Sequence, residues 1–481
     1  MAVLRKQVLS GVKWTSIERF YKAVAQLLQV SILTRFLDKS DFGLIGIALF
    51  VNSFCAIYAD FGLASVVMHK QDLDKKTFSS FYWFNLIVGL FLSLFVMASS
   101  GLVADYYKQL ELRHVISLYS LLIFIGSIYS LQRTIQQKKM NFCFMSVVSI
   151  SASTIMLVAN VIFASLGFGV YSMVWASLLN GTIVALSYIC LDVFKEHNIC
   201  FHLKLSDIKN SFSIGVYQVG SSTLDFFSRE IDAVLVSSYY SIQIFGVYTL
   251  CKQLGGRVYS VINPIVTSVL MPVFSKIQND ISYVSKIYLK TVNLLGLINF
   301  AIYSIMAFAS HSVITILYGS SYASFSLVFS CFAFYYAMLS LGNPIGSLLV
   351  ALGRTDKGFH WTIFRVVFSI IYISIASHFS IEVLAFLIML IPIVTSYPSW
   401  YLIHRNVTEI SYGTSLSLII KPLLICVPMF PLYFLDMWIS IPLLSIVIVS
   451  LLFLAGYLIL NYVFRKEELK YILSIIFKRQ I

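Results

Sequence analysis

The sequence predicts an all-α polytopic membrane protein, with fourteen spanning helices arranged as two six-helix lobes and an appended pair. Three observations predict it. Hydrophobic residues make up 59% of the 481-residue chain, charged residues only 11%, and the mean hydropathy is +0.87; soluble domains carry about 25% charged residues. Apolar runs recur that reach the ~20 residues a helix needs to cross a bilayer, and they are too long and too uniform to be barrel strands. Lys and Arg are also asymmetric. With the N-terminus inside, 22 of the 34 fall in inner segments, three (Lys39, Lys108, Arg113) in outer loops, and nine within spans. The positive-inside rule then puts both termini in the cytoplasm. The net charge of +13 is therefore topological and does not argue for a nucleic-acid partner.

Residues 1–195 form the first lobe, with spans centred near Gln26, Val51, Leu90, Phe124, Ile155 and Ala176. The second lobe, 196–411, has spans near Asp225, Ser260, Phe300, Ala337, Ile370 and Met389. Residues 412–481 hold the pair near Ile425 and Leu451 and a basic amphipathic tail suited to the inner membrane surface.

Span 1 follows Arg5, Lys6 and Lys13 and ends without a small-residue cleavage site, so it reads as a retained span. Glu18, Lys22, Gln26 and Gln29 give it one polar stripe, with Glu18 and Lys22 in the favoured i, i+4 order. The stripe starts at the cytoplasmic end, where it either lines an inward-open cavity or forms an interfacial ion pair. Arg35 closes the outer end and is placed to snorkel.

Span 3 opens with Phe81, Tyr82, Trp83 and Phe84, read as an interfacial belt. Span 4, between Leu118 and Leu131, is the weakest in apolar content. Gly167–Gly169 makes a tight turn before span 6, and Leu203 to Phe212 reads as an interfacial amphipathic helix between the lobes. Pro264 and the Gly342-Asn343-Pro344 triplet predict kinks in spans 8 and 10.

The richest stretch is Leu224 to Arg257. It is apolar enough for a bilayer, yet it carries Asp225, Arg229, Glu230, Asp232, Lys252 and Arg257. A charge at bilayer depth costs roughly 2.5–3.5 kcal/mol on insertion scales, so such groups face a bundle interior or a wet path. Asp225, Arg229 and Asp232 stand at i, i+4 and i+7 on one helical face. They read either as a static pair or as a gate in which protonation of Asp225 releases Arg229; Asp232 is the alternative partner. Counted from the outer end of span 8, Lys252 lies about 9 Å deep and Arg257 about 16 Å deep at ~1.5 Å per residue. Two cations at that depth suit a travelling anionic group, with an internal salt bridge to span 7 as the alternative.

The two lobes repeat. Arg-Phe-Leu-Asp-Lys-Ser-Asp-Phe-Gly at 35–43 matches Ser-Tyr-Tyr-Ser-Ile-Gln-Ile-Phe-Gly at 238–246 with an offset of 203. Gly11-Val12 matches Gly215-Val216 at 204. Six spans per lobe leave both copies in the same orientation, related by an axis along the membrane normal.

Enzyme and metal chemistry have no carriers. No loop reaches 25 residues, no GxxxxGK[ST] or HExxH occurs, and none of the seven cysteines forms a CxxC pair. The eight histidines lie in loops or near span ends. No catalytic residue, metal ligand or cofactor is assigned.

Several stretches carry a resemblance: LTRFLDKSDFGLIGIA (33–48), DFGLASVVMHKQDLDKKTFSSFYWFNLIVGL (60–90), LQRTIQQKKMNF (131–142), REIDAVLVSSYYSIQIFGVYTL (229–250), SVLMPVFSKIQND (268–280), LYGSSYASF (317–325) and ALGRTDKG (351–358). In this order and spacing the chain resembles the Wzx-type polysaccharide flippases (O-antigen and colanic-acid-like) of the multidrug/oligosaccharidyl-lipid/polysaccharide exporter superfamily. Glu230 and Ser241 depart from that pattern, which more often has a neutral polar residue and a glycine there.

The resemblance implies a bacterial inner-membrane flippase that moves an undecaprenyl-pyrophosphate-linked oligosaccharide to the periplasmic leaflet by alternating access. Coupling to H+ or Na+, and partnership with the polysaccharide polymerase and chain-length machinery, come with it. A pyrophosphate and a sugar cannot cross hydrocarbon unaided; they need a wet, cationic path with the lipid tail left in the bilayer. Arg229, Lys252, Arg257, Lys22 and Arg35 are the candidate substrate contacts, and Glu18, Asp225 and Asp232 the candidate coupling or pairing acids. Two other classes stand as alternatives. A glycan polymerase or ligase needs a long outer loop. A drug/cation antiporter favours buried acids without matching bases.

Overall fold

A computed structural model describes residues 2–69, 74–191, 199–204 and 212–466. The amphipathic segment expected at Leu203 to Phe212 and the basic tail lie largely or wholly outside these residues. Among the described residues every regular element is helical. The chain divides into two compact units, Met1–Thr249 and Leu250–Ile481. That division falls inside one continuous helix, whereas the six-span lobes were drawn at the polar connection from the repeat.

The first unit holds α1 (Ala2–Leu33), α2 (Lys39–Ala59), the short α3 (Leu63–His69), α4 (Lys75–Tyr107), α5 (Leu110–Lys138), α6 (Phe142–Ser165), α7 (Tyr171–Leu191) and α8 (Phe212–Tyr239). It also holds the start of α9 (Ile242–Ile277). Long α4 and α5 pack as an antiparallel pair, α6 lies between α1 and α7, and α2 packs on α5 and α8.

The weak span 4 is a full helix of 29 residues. Its low apolar content has a packing cause: Ser120 and Ser127 are buried, and Asn85 of α4 donates to the Ser127 carbonyl and the Ser130 hydroxyl, both at 2.9 Å. In hydrocarbon such interhelical hydrogen bonds hold helices that have no hydrophobic reason to associate. The turn before α7 is built as expected, with Gly167 and Gly169 at φ +82° and +54°.

Trp83 is used differently from the belt expectation. Phe81 and Tyr82 are buried in a small cluster with Leu63, Val66, Val67, Phe78 and Leu131, joined by Ile199 of the connection between the lobes. Trp83 donates its indole N–H to the Cys200 carbonyl (2.9 Å) and stacks on Phe201 (4.8 Å). Ser79 accepts from the Cys200 N–H, and Ser80 accepts from the Lys204 N–H and donates to the His202 carbonyl. Residues 199–204 are thus strapped to the first turns of α4.

The second unit holds the rest of α9, then α10 (Ile281–Phe308), α11 (Ser310–Tyr318), α12 (Ser326–Ser340), α13 (Asn343–Ala351), α14 (Thr355–Ala376), α15 (Ile381–Val394), α16 (Tyr412–Cys426), α17 (Pro431–Trp438) and α18 (Pro442–Phe464). The kink expected at 342–344 is a full interruption, with α12 ending at Ser340 and α13 starting at Asn343. Beyond α15 the chain passes through a π turn, Trp400–His404.

The appended pair is part of this unit's core: Val449, Phe453 and Tyr457 pack with Phe300, Tyr303 and Phe308. Polar contacts pin it at successive levels. Buried Asp436 accepts from Ser445 Oγ (2.5 Å) and from the Ser312 N–H (3.1 Å), Tyr457 donates to the Leu297 carbonyl (3.1 Å), and Arg465 donates to Asn293 Oδ1 (2.9 Å).

Eleven helical segments among the described residues are long and apolar enough to span. They correspond to all the expected spans except 1, 7 and 8. Those three, α1, α8 and α9, have 32, 28 and 36 residues. Their length suffices at ~1.5 Å per residue.

Candidate functional site

In the first unit two basic residues pair within their own helices. On α1, Lys22 donates to Glu18 Oε1 at 2.9 Å, the expected i, i+4 pair. Glu18 does more than pair on its own helix, since its other oxygen accepts from Ser146 of α6 at 3.0 Å. The Glu18 side chain is mostly buried, and this bond ties the polar stripe of α1 to α6. Arg35 lies exposed in the turn that follows α1.

On α8, Arg229 donates to Asp225 Oδ2 at 2.8 Å, again i, i+4, with both side chains at least half exposed. The common face predicted for Asp225, Arg229 and Asp232 does not give them a common environment. Around Asp225 and Arg229 the face is open, whereas at Asp232 it is covered by the start of α9. There Asp232 is buried and accepts from the Tyr248 hydroxyl at 2.6 Å. Phe226 and Phe227, next to Asp225, pack against Phe50 and Phe54 of α2. Thr223 bonds Tyr58 one level further in.

In the second unit Lys252 is half-buried on α9, and Arg257 lies further along the same helix. The guanidinium of Arg257 is within electrostatic range of the Tyr318 and Tyr336 phenols. Gly255 and Gly256 leave room for the Tyr336 ring against the α9 backbone. Tyr303 donates to the Gly255 carbonyl (3.0 Å), Tyr318 to the Leu250 carbonyl (3.3 Å), and Tyr259 to Asn343 Oδ1 (2.6 Å). The stretch from Leu250 to Tyr259 is therefore walled by phenols from α10, α11 and α12. Tyr303, Tyr318 and Tyr259 each spend their one O–H on these bonds and keep oxygen lone pairs that can accept from hydroxyl groups. Among the described residues no cluster of three or more His, Cys, Asp or Glu side chains is set to hold a metal.

Sequence reasoning placed the cations and acids but missed Ser146, Tyr248, Tyr318, Tyr336 and Asn343. Tyr248 alone had a readable signal, because it falls just past the repeated Phe-Gly. The others come from helices distant in the chain.

A family profile for polysaccharide biosynthesis proteins matches residues 32–327. The chain belongs to that family. Among its relatives are the teichuronic acid biosynthesis protein TuaB of Bacillus subtilis, 25% identical over 75% of this chain and 74% of its own length, and the lipopolysaccharide biosynthesis protein WzxC of Escherichia coli, 24% identical over 85% and 83%. The fold of this family member is that of the lipid II flippase MurJ in an inward closed conformation, with a TM-score of 0.74 at 15% identity over 95% of this chain and 99% of that one. An inward-facing MATE multidrug transporter also matches, with a TM-score of 0.62 at 15% identity over 87% and 98%. The family member is thus a multi-pass membrane protein that shares the fold of these transporters.

Proposed function

We propose that this protein is a flippase that carries an undecaprenyl-pyrophosphate-linked oligosaccharide from the cytoplasmic to the periplasmic leaflet of a bacterial inner membrane. In this reading it works by alternating access, with both termini in the cytoplasm. The observation that carries it is the family match over 32–327 in a chain whose fold follows a lipid II flippase over 95% of its length. Arg257 and Lys252 take the pyrophosphate, with Arg229, Lys22 and Arg35 as further cationic contacts. The phenols around Arg257 take sugar hydroxyls. Glu18, Asp225 and Asp232 are the acids available to an H+ or Na+ coupling. The product of such a step is the substrate of a periplasmic polymerase and its chain-length partners.

Purified protein in liposomes loaded with undecaprenyl-pyrophosphate-linked oligosaccharide tests the reading. The expected result is protein-dependent exposure of the glycan to an external lectin or glycosidase. Exposure at the rate of protein-free liposomes would overturn it. The MATE fold match supports a second reading, a drug/cation antiporter. It predicts ion-driven efflux of cationic dyes and no glycan exposure in the same liposomes.

A further inference from the structure

The repeat seen in the letters is also present as a reciprocal contact. Helix α2 begins at Lys39 and α9 at Ile242, the same offset of 203 that relates the sequence motifs. The residues just before them occupy equivalent capping positions. The Asp38 N–H donates to Asp41 Oδ2 at 3.0 Å, and Ser241 Oγ accepts from the Ile244 N–H at 3.4 Å. The motifs end in Gly43 and Gly246, both buried.

A Cβ placed on Gly43 would collide with the Ile242 carbonyl oxygen and lie 2.8 Å from its Cγ1. A Cβ on Gly246 would collide with the Lys39 carbonyl oxygen and lie 2.8 Å from the Gly43 nitrogen. Each glycine meets the first helical residue of the other copy. That exchange of equivalent partners is the mark of a two-fold axis, and here it passes between the two glycines.

The crossing is backbone on backbone. Only glycine permits so close an approach. It also brings two helix N-termini together, and their partial positive charges repel. Asp38 and Asp41 stand at the junction and offset part of that repulsion. Beneath it the contact is sealed by large buried groups: Phe245 lies against Gly46, and Tyr248 covers Asp232. A contact held by fit, against a weak repulsion, is suited to being made and broken repeatedly.

We infer that the Gly43–Gly246 crossing is the outer closure of the transport path: made while the path faces the cytoplasm, parted when it faces outward. This rests on the alternating-access reading and on the orientation with the N-terminus inside. The two glycines then set the balance between the two states, and any side chain at either position shifts that balance outward.

Two measurements test it on the full-length protein in membrane vesicles. Phe50, which packs on Phe226 about one turn below Gly46, is changed to Cys and probed from outside with a membrane-impermeant thiol reagent. Gly43→Ala or Gly246→Ala is expected to raise its labelling about tenfold, the equivalent of about 1.4 kcal/mol of overpacking at the closure. Unchanged labelling in both glycine variants overturns the closure. In the second, Lys39→Cys and Ile242→Cys are joined by a short reducible thiosulfonate cross-linker. Glycan exposure should stop and return on reduction; full-rate exposure by the cross-linked protein overturns the closure independently of how the glycine variants fold. The labelling readout does not depend on the substrate. A tenfold rise with no lipid-linked glycan moved by any form of the protein would sink the flippase reading and leave the closure standing.

Discussion

The two units surround these basic side chains differently. In the first, Lys22 and Arg229 are each paired to an acid four residues earlier on the same helix, at 2.9 and 2.8 Å. In the second, Arg257 is set among phenols delivered by other helices, Tyr318 and Tyr336. A pair within one helix survives any movement of that helix. An arrangement built from several helices lasts only while those helices keep their register. The first arrangement lowers the insertion cost of a charge permanently. The second keeps a cation in surroundings that a moving anionic group can replace, because a phosphate oxygen accepts the same hydrogen bonds more strongly than a neutral phenol.

Three substitutions probe that contrast. The largest effect is expected at Arg257. Arg257→Ala removes a charge-assisted contact of about 3 kcal/mol and should slow glycan exposure roughly a hundredfold, with Arg257→Lys intermediate because the bidentate fork is lost. A normal rate in the Ala variant at normal protein level would take Arg257 out of the path and erase the contrast.

The pair on α8 comes next. If it is local and static, Asp225→Arg and Arg229→Asp each lose most activity and their combination regains it. Persistent inactivity in an inserted double variant would show that Arg229 touches the substrate, making α8 resemble the second unit. The smallest effect is expected at the phenols. Tyr336→Phe keeps the ring against Gly255 and Gly256 and loses one hydroxyl, which should cost about 1 kcal/mol, roughly fivefold in rate. No change there, with a large loss at Arg257, would limit the role of the cage to packing.

Much of this was legible in the chain, and what was not has a common cause. The spans, the Glu18–Lys22 and Asp225–Arg229 pairs and the repeat depend on spacing within a helix or on a fixed offset, and spacing is what a sequence displays. The repeated Phe-Gly falls where the two helices meet backbone to backbone, at Gly43 and Gly246, although the letters alone do not bring them together. The Tyr248 hydroxyl on Asp232 was not readable, because burial there depends on where α9 starts. The Tyr318 and Tyr336 phenols lie beyond any period, as does Ser146 on Glu18. Trp83 was assigned to a belt by composition, yet its indole bonds a backbone carbonyl in an irregular six-residue piece that has no periodic signature.

That piece bears on how the chain is assembled. Residues 199–204 lie between α7 and α8, and they are bound to the first turns of α4 through Trp83, Ser79 and Ser80. If the gene were divided into two separately made chains, the position of the cut would matter more than its length from either end. A break just before Ile199 gives the second chain a peptide that already has a binding site on the first, so the halves find each other by that peptide as well as within the bilayer. A break after Lys204 leaves the peptide with its own receptor, and the second chain has only its helix contacts, such as α8 on α2, to guide it.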